Sequence, residues 1–159
     1  SQSGRTTLDR LNGYQQALQT AGLPVRSEYL HHVAGGDPAL GAGAVAYFQR
    51  LTEPPTAIVC FNDTLAIGVL TGCLGAGLRM PEDISVTGFD NITYSAYTCP
   101  PLTTFDQPKH SIGSEAAQLL LNLLRSGNGK APDTQEVKVL KGKLLVRGST
   151  ARLTSGSQR

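Results

Sequence analysis

Two segments with the length of buried strands, separated by one helix-length segment, constrain the fold of this chain more than any other feature. They are Thr56–Phe61, which is a continuous apolar run, and Ile84–Phe89. Continuous apolar strands are typical of a parallel sheet that is covered on both faces. Asn62 begins the intervening segment as a potential helix N-cap, and Gly77 ends it. The sequence therefore predicts a strand–helix–strand unit with parallel strands.

The rest of the chain continues this alternation. Helical spacing of apolar residues follows the potential N-cap Thr6, and Asp37-Pro38 begins another helix. The other predicted elements are strands at Tyr29–Val33, Leu102–Phe105, Glu136–Leu140 and Lys143–Val146, and a helix at Ser111–Arg125. This pattern predicts an α/β fold: a parallel sheet flanked by helices on both faces. The polar residues 150–159 are predicted to form a disordered tail.

Length and composition suit one domain, or one lobe of a larger domain, with an ordinary core. The 159 residues are 40% hydrophobic and 16% charged, and the net charge of +2 is too small to predict nucleic-acid binding. Three widely spaced cysteines predict neither a disulfide framework nor a metal pair. Cys60 and Cys73 are interpreted as small buried hydrophobes, weakly consistent with a reducing compartment. No apolar run approaches the ~18 residues of a membrane span.

Polar side chains follow several of the predicted strands. They are Asp37, Asn62, Asp90 and Gln107. A parallel sheet would gather them at one edge, where such folds bind ligands, and their carboxylate and amide groups suit hydroxyl-rich ligands. The alternative is that the first three are only helix caps or turn residues. Arg10 also has two interpretations: a guanidinium that clamps an acceptor on a ligand, or a solvated charge on a helix.

The sequence contains no recognisable catalytic constellation. Residues 41–46 match the GxGxxA pattern of dinucleotide-binding folds, but they follow the helix start at Asp37-Pro38 instead of forming the strand-to-helix turn. Phosphate-binding GxxxxGK[ST] and nucleophilic GxSxG motifs do not occur, and His31, His32 and His110 lack the spacing of metal ligands. We therefore predict no enzyme activity, cofactor or metal.

A series of short motifs extends over nearly the whole chain. They are RLNGY at 10–14, PTAI at 55–58, ND at 62–63, AIG at 66–68, GLRMPEDISV at 77–86, GFD at 88–90, PPLTT at 100–104, QP at 107–108 and RGST at 147–150. In this order they resemble the effector-binding domain of LacI/GalR-type transcription regulators. The resemblance implies one lobe of a periplasmic-binding-protein-like (type I) fold, whose ligand lies in the cleft between two lobes.

The resemblance also implies a domain organisation. Residues 1–149 correspond to the C-terminal lobe, and 108–137 are expected to cross to an N-terminal lobe. That lobe and a helix-turn-helix headpiece are expected outside this sequence. The apolar face of Ser111–Arg125 would then lack its normal partner here, so we expect this helix to be rearranged, swapped or mobile.

Functional positions are implied residue by residue. Arg10 corresponds to the family's effector-clamping arginine, Asn62 and Asp90 to polar ligand contacts, and Gln107 to a further cleft residue. Thr6 corresponds to a weaker, variable contact. Pro38 stands where relatives often have an aromatic ring that stacks on the ligand, which removes that contact.

The function implied is sensing of a sugar or similar polar metabolite by a cytoplasmic transcription regulator, expected to be a repressor. The implied homodimer forms through Thr64–Ala76 and Tyr94–Pro101. Operator DNA would be bound only by the headpiece, and no membrane is involved. The alternative is a lobe of a periplasmic solute-binding protein for transport or chemotaxis, which shares the fold and the polar strand ends.

Overall fold

The structure, a computed structural model, describes residues 2–125 and 137–152. Its helices are α1 (Gln2–Thr20), α2 (Pro38–Gln49), α3 (Asp63–Gly75) and α4 (Lys109–Arg125). Its strands are β1 (Ala57–Val59), β2 (Ser85–Phe89), β3 (Thr103–Asp106) and β4 (Lys143–Leu145). Two 3-10 turns occupy Ser27–Tyr29 and Thr93–Ala96. No helix among the described residues is long and apolar enough to cross a membrane.

The four strands form one mostly parallel sheet in the order β1-β2-β3-β4. β1 pairs with β2 and β2 with β3 in parallel, with Ile58 opposite Val86 and Gly88 opposite Thr104. This confirms the predicted strand–helix–strand unit. β4 pairs antiparallel with β3, with Phe105 opposite Leu144, because the chain returns to the sheet after α4. The prediction of a parallel sheet therefore holds for three of the four described strands.

The core lies between one face of this sheet and helices α2 and α3. The buried side chains Ile58 and Val86 come from the strands, Leu102 directly precedes β3, and Val45 and Val69 come from the helices. The two helices approach closely because small residues face one another. A Cβ placed on Gly68 would lie 1.8 Å from the Pro38 carbonyl oxygen, and one on Gly41 would lie 2.2 Å from the Leu65 carbonyl oxygen. Side chains larger than hydrogen would separate the helices at these points.

Helix α1 lies against the opposite face of the sheet. Phe89 alternates with Gly88 along β2, and Gly88 faces Asp63 at the start of α3. The Arg10 guanidinium of α1 lies over the Phe89 ring, so α1 is on the other side from α3. Helices therefore flank both faces of the sheet, as predicted. This arrangement brings Arg10 to the edge where the parallel strands end.

The segment 147–152 is attached to the sheet by hydrogen bonds. Ser149 is fully buried: its hydroxyl donates to the Val86 carbonyl at 2.6 Å and accepts from the Thr103 N–H at 2.8 Å. The Thr150 hydroxyl lies 2.9 Å from that of Thr103, and the Ala151 N–H donates to the Ser85 hydroxyl at 3.2 Å. Of the predicted tail, Thr150 and Ala151 therefore hydrogen-bond to β3 and β2 residues, and 153–159 lie outside the described residues.

Helix α4 buries none of its side chains. Its exposed apolar residues are Ile112, Leu120, Leu121, Leu123 and Leu124. The extended segment 137–140 runs beside it, and Lys138 pairs with Glu115 at 2.6 Å. The predicted strand at Glu136–Leu140 is wrong for Val137–Leu140, because this segment contacts α4 instead of pairing with another strand; Glu136 lies outside the described residues.

Two other local predictions are wrong. Thr6 is not an N-cap, because α1 begins at Gln2 and Thr6 lies in its second turn; extending a formed helix costs little per residue. Tyr29–Val33 does not form a strand. Tyr29 ends a 3-10 turn and donates its hydroxyl to the Glu53 carbonyl, and His31 stacks on Tyr47. These side-chain contacts hold the segment against α2 and the loop that follows it.

Candidate functional site

Three of the predicted polar residues follow neighbouring parallel strands. Asn62 comes three residues after β1, Asp90 comes directly after β2, and Gln107 comes directly after β3. Because these strands are parallel and adjacent, their carboxyl ends lie at the same edge of the sheet. The predicted gathering of polar side chains is therefore present in the structure.

The Asp90 carboxylate is the centre of this cluster. Its Oδ1 accepts from Gln107 Nε2 at 2.5 Å and from Arg10 Nη2 at 3.4 Å. The Arg10 and Asp90 side chains are only 21% and 29% exposed. Arg10 is therefore not a solvated helix charge, and Asp90 is more than a turn residue.

Two aromatic rings hold the Arg10 guanidinium in place. Its central carbon lies 3.8 Å from the centroid of Phe89 and 4.3 Å from that of Phe61. Nη1 also donates to the Phe61 carbonyl oxygen. A guanidinium is weakly hydrated and stacks well on aromatic faces, which favours its partly buried position. Phe61 and Phe89 were not singled out by the sequence analysis, although both end apolar runs next to a polar residue.

Asn62 serves as the N-cap of α3, with Oδ1 accepting from the Leu65 N–H at 2.8 Å. Its Nδ2 faces the backbone at Gly36, where an added Cβ would lie 3.4 Å away. Because the cap uses only the oxygen, the amide group keeps two N–H donors for other partners. Asn62 is therefore a helix cap, and Asp37 likewise caps α2 by accepting from the Ala39 N–H at 2.7 Å.

Thr6 lies one helical turn before Arg10 and is exposed. Residues four apart lie on the same side of a helix, so Thr6 is on the side of α1 that carries Arg10. The structure therefore brings Arg10, Asp90 and Gln107 into direct contact. Asn62 follows Phe61, which contacts Arg10, and Thr6 borders the cluster along α1.

The backbone that carries Asp90 is unusual, and the sequence did not reveal it. Asp90 and Asn91 have φ angles of 113° and 49°. Asn91 Oδ1 accepts from Arg147 Nη2 at 2.8 Å, and Asn91 Nδ2 donates to Asp106 Oδ1 at 3.0 Å. The sequence signals at Arg147 were its position directly after the apolar residues of the last predicted strand and its place in the RGST motif at 147–150.

Asp63 is a second residue whose role the sequence did not show. It is fully buried at the first position of α3, and its Oδ1 accepts from the Thr104 hydroxyl at 2.5 Å. Its Oδ2 accepts from the Ile92 N–H at 2.9 Å. A buried carboxylate is stable when hydrogen bonds and a helix N-terminus stabilise its charge, and Asp63 has both. It anchors the loop after Asp90 to the core.

The cysteines contribute to the core and not to the polar cluster. Cys60 and Cys73 are buried, whereas Cys99 is exposed. Burial raises the pKa of the Cys60 thiol to about 12, with smaller contributions from Cys73 and Asp63. Burial also raises the pKa of the Cys73 thiol to about 11. Both groups are therefore neutral thiols near pH 7. The described part of the chain contains no cluster of three or more His, Cys, Asp or Glu side chains that could hold a metal ion.

The chemistry of the cluster is that of a polar ligand contact. Asp90 supplies a partly exposed carboxylate, which accepts hydrogen bonds from hydroxyl or amino groups. Arg10, Gln107 and Asn62 supply donors around it. Among the described residues, the hydrogen bonds to the Asp90 carboxylate come from Arg10 and Gln107.

Comparison with known proteins identifies the family. The "Periplasmic binding protein-like domain" family matches residues 1–150. The chain is 40% identical over 149 residues to the HTH-type transcriptional repressor CytR of Escherichia coli K12, covering 91% of this chain and 41% of that protein. It thus spans about four tenths of that relative's length.

Solved structures agree with this match. A putative LacI transcriptional regulator from Bacillus cereus subsp. cytotoxis has a TM-score of 0.83 and 32% identity, covering 91% of this chain and 50% of the other. The transcriptional regulator CelR, solved as a cellobiose complex, has a TM-score of 0.76 and 29% identity, covering 89% of this chain and 42% of the other. The chain therefore belongs to the periplasmic binding protein-like domain family, as part of a LacI/GalR-type effector-binding domain.

Proposed function

We propose that this chain senses a small polar effector for a LacI/GalR-type transcription regulator, and that Arg10, Asn62, Asp90 and Gln107, with Thr6 at the border, form its side of the binding pocket. The observation that carries this proposal is the Asp90 carboxylate, which Arg10 and Gln107 contact at the carboxyl edge of the sheet. Parallel α/β folds bind ligands at this edge. Partial exposure leaves part of the carboxylate open to a ligand.

The effector class is a sugar or a similar polar metabolite. A carboxylate beside amide and guanidinium donors recognises hydroxyl groups in both directions, as donors and as acceptors. The cellobiose complex of CelR is a precedent within the fold for a sugar effector. Pro38 supplies no aromatic ring, so recognition from that side relies on polar contacts and shape.

The second wall of the pocket is proposed to come from an N-terminal lobe outside this sequence. The chain covers about four tenths of CytR, and the Arg10 and Asp90 side chains remain partly exposed, which both support this. Helix α4 supports it too, because its exposed leucines suit packing against another structural unit. In this proposal residues 108–137 cross to the N-terminal lobe, and 126–136 of that range lie outside the described residues.

Regulation would work by a population shift. An effector that binds between two lobes favours one lobe arrangement, and the free energy of that preference is available to change operator affinity. Operator DNA would be bound by a helix-turn-helix headpiece outside this sequence, and the whole protein would be a cytoplasmic repressor; the relative CytR is named an HTH-type transcriptional repressor. The role proposed for this chain is sensing and not catalysis.

Dimerisation is proposed through Thr64–Ala76 and Tyr94–Pro101. Leu74 is 60% exposed, and Tyr94 and Tyr97 are 74% and 82% exposed. Large apolar and aromatic side chains at this exposure are typical of interfaces. The solute-binding alternative shares the fold, but it has no support from the repressor relative.

A thermal-shift screen of sugars, sugar phosphates and purines on the intact protein tests this proposal. A ligand at a hundred times its Kd stabilises by ~2.7 kcal/mol, which is roughly 5–11 °C in Tm for a protein of this size. Arg10→Ala and Asp90→Ala should each abolish the shift. Arg5→Ala is the matched control, because Arg5 is exposed on the same helix. A compound that shifts all three variants like the unmodified protein would contradict the proposed pocket.

A further inference from the structure

The turn that carries Asp90 adopts a conformation that L-amino acids disfavour. Asp90 and Asn91 both have positive φ angles, 113° and 49°, and neither is glycine. Such residues cost roughly 1–3 kcal/mol each and persist only where surrounding contacts fix them. The orientation of the Asp90 carboxylate therefore depends on whatever holds this turn.

Hydrogen bonds to all four polar groups of Asn91 hold this residue in place. Its N–H donates to the Thr104 hydroxyl at 3.3 Å, and its carbonyl accepts from Lys109 Nζ at 3.1 Å. Its Nδ2 donates to Asp106 Oδ1 at 3.0 Å, and its Oδ1 accepts from Arg147 Nη2 at 2.8 Å. Of these partners, Arg147 makes the shortest contact and lies furthest along the chain.

Arg147 is itself fixed by several groups. Its Nη1 donates to the Ser95 hydroxyl at 3.0 Å and to the Leu102 carbonyl at 2.9 Å. Its backbone N–H donates to the Thr103 hydroxyl at 2.9 Å. A planar guanidinium reaches separate acceptors at once, which an ammonium group on a flexible stem does not do with the same geometry. The guanidinium therefore joins the Asp90–Asn91 turn to both ends of the segment 95–102.

We propose that Arg147 is a positioning residue for the candidate site. By holding Asn91 Oδ1 it keeps the Asp90–Asn91 turn in the backbone conformation that directs the Asp90 carboxylate towards Arg10 and Gln107. Arg147 acts through Asn91 and not on a ligand. Its consequence for effector binding rests on the proposed function, whereas its effect on the turn does not.

Hydrogen exchange of the intact protein without effector is the first test. The variants are Arg147→Lys, which keeps the positive charge but lacks the planar guanidinium, and Arg152→Lys, a control at an exposed arginine in the same part of the chain. In Arg147→Lys the amides of residues 90–92 should exchange roughly ten- to hundredfold faster, because one charge-assisted hydrogen bond is lost. The Cys60 amide, which bonds to the Thr87 carbonyl within the same sheet, should be unchanged.

Asn91→Gly is the second variant, and it keeps the proposal testable even if Arg147→Lys does not fold. Glycine adopts positive φ freely, so the chain still forms the turn, but the turn is held less firmly because the side-chain bonds to Arg147, Asp106 and Ser95 are lost. Faster exchange confined to residues 90–92 is expected again. Unchanged exchange at these amides in both variants would overturn the proposal, and so would a uniform increase across the sheet, which indicates only global destabilisation.

Effector affinity separates this proposal from the function on which it rests. With the compound that gives the largest thermal shift in the screen above, Arg147→Lys should weaken Kd about tenfold, but should add no further loss in an Asp90→Ala background. If Asp90→Ala leaves Kd unchanged, the proposed pocket fails. If Asp90→Ala weakens binding and Arg147→Lys does not, the positioning role fails alone.

Discussion

Adding one methyl group at Gly68 should destabilise the protein, although the same change elsewhere in a helix stabilises it. Glycine to alanine in a helix interior normally gains ~1 kcal/mol. At Gly68 the new Cβ would lie 1.8 Å from the Pro38 carbonyl oxygen, 2.7 Å from its carbon and 2.9 Å from its Cα. All three atoms belong to backbone, so no side-chain rotation relieves the contact.

The size of the effect follows from this geometry. Ordinary contacts of a Cβ begin near 3.4 Å, so the start of α2 must move about 1.6 Å away from α3. A gap of only 0.5–1 Å forfeits a quarter to a half of the dispersion energy between packed atoms, and overpacking typically costs ~1–3 kcal/mol. With a clash at the upper end of that range, and after subtracting the gain in helix propensity, we expect a net loss of about 2 kcal/mol, or roughly 4–8 °C in Tm.

Gly43→Ala is the matched control, because Gly43 lies in α2 and no atom lies within 4 Å of the position that its added methyl group would take. The free energy of unfolding of Gly43→Ala should be higher than that of the unmodified protein by ~1 kcal/mol. Urea denaturation should therefore separate the two variants by about 3 kcal/mol at unchanged m-value. If Gly68→Ala is as stable as Gly43→Ala, the close approach of α2 and α3 described above is incorrect.

Two further predictions concern buried groups. Ser149→Ala removes a hydroxyl that bonds the Val86 carbonyl and the Thr103 N–H, so it should lower the free energy of unfolding by about 2 kcal/mol in urea titrations, whereas Ser111→Ala at an exposed position should change it little. Stability should fall as pH rises above ~9 towards the Cys60 pKa of about 12, because the folded chain keeps a thiol proton that the unfolded chain releases. At pH 10 the loss in the free energy of unfolding that is due to Cys60 amounts to ~1.4 kcal/mol. The loss of stability between pH 8 and pH 10 should be smaller by that amount in Cys60→Ala than in the unmodified protein. An identical loss of stability in the two proteins would refute the role of the Cys60 thiol.

The elements that the sequence predicted well are those defined by local chemistry. β1 lies within a continuous apolar run, and α2 and α3 begin at the side-chain caps Asp37 and Asn62. The Tyr29–Val33 segment was mispredicted because its position depends on contacts with residues up to 24 positions away, such as the Tyr29 hydroxyl bond to Glu53. The antiparallel direction of β4 likewise depends on where the chain returns after α4, which no local pattern encodes.

The candidate site was predicted to a similar extent. Asn62, Asp90 and Gln107 follow predicted strands, so their common edge could be derived, and the family resemblance added Arg10. The residues that hold them were not predicted. Asn91 and Arg147 are 56 positions apart, and Thr104 and Asp63 are 41 positions apart. Hydrogen bonds between residues so distant in sequence leave no periodicity or spacing for a single sequence to reveal.

The late position of Arg147 and Ser149 in the chain has a consequence for how the protein is made. The β1–α3–β2–β3 unit is complete once residue 106 has been synthesised, but the Ser149 hydroxyl bond to the Val86 carbonyl and the Arg147 bond to Asn91 Oδ1 need residues 147–149. Contacts over such separations form late, because a long loop must close first. On the ribosome, the sheet would emerge without the Ser149 bonds, and the Asp90 turn would lack its bond to Arg147. Ordering of the candidate site would then be the last step of folding and would require the chain to be present through Ser149.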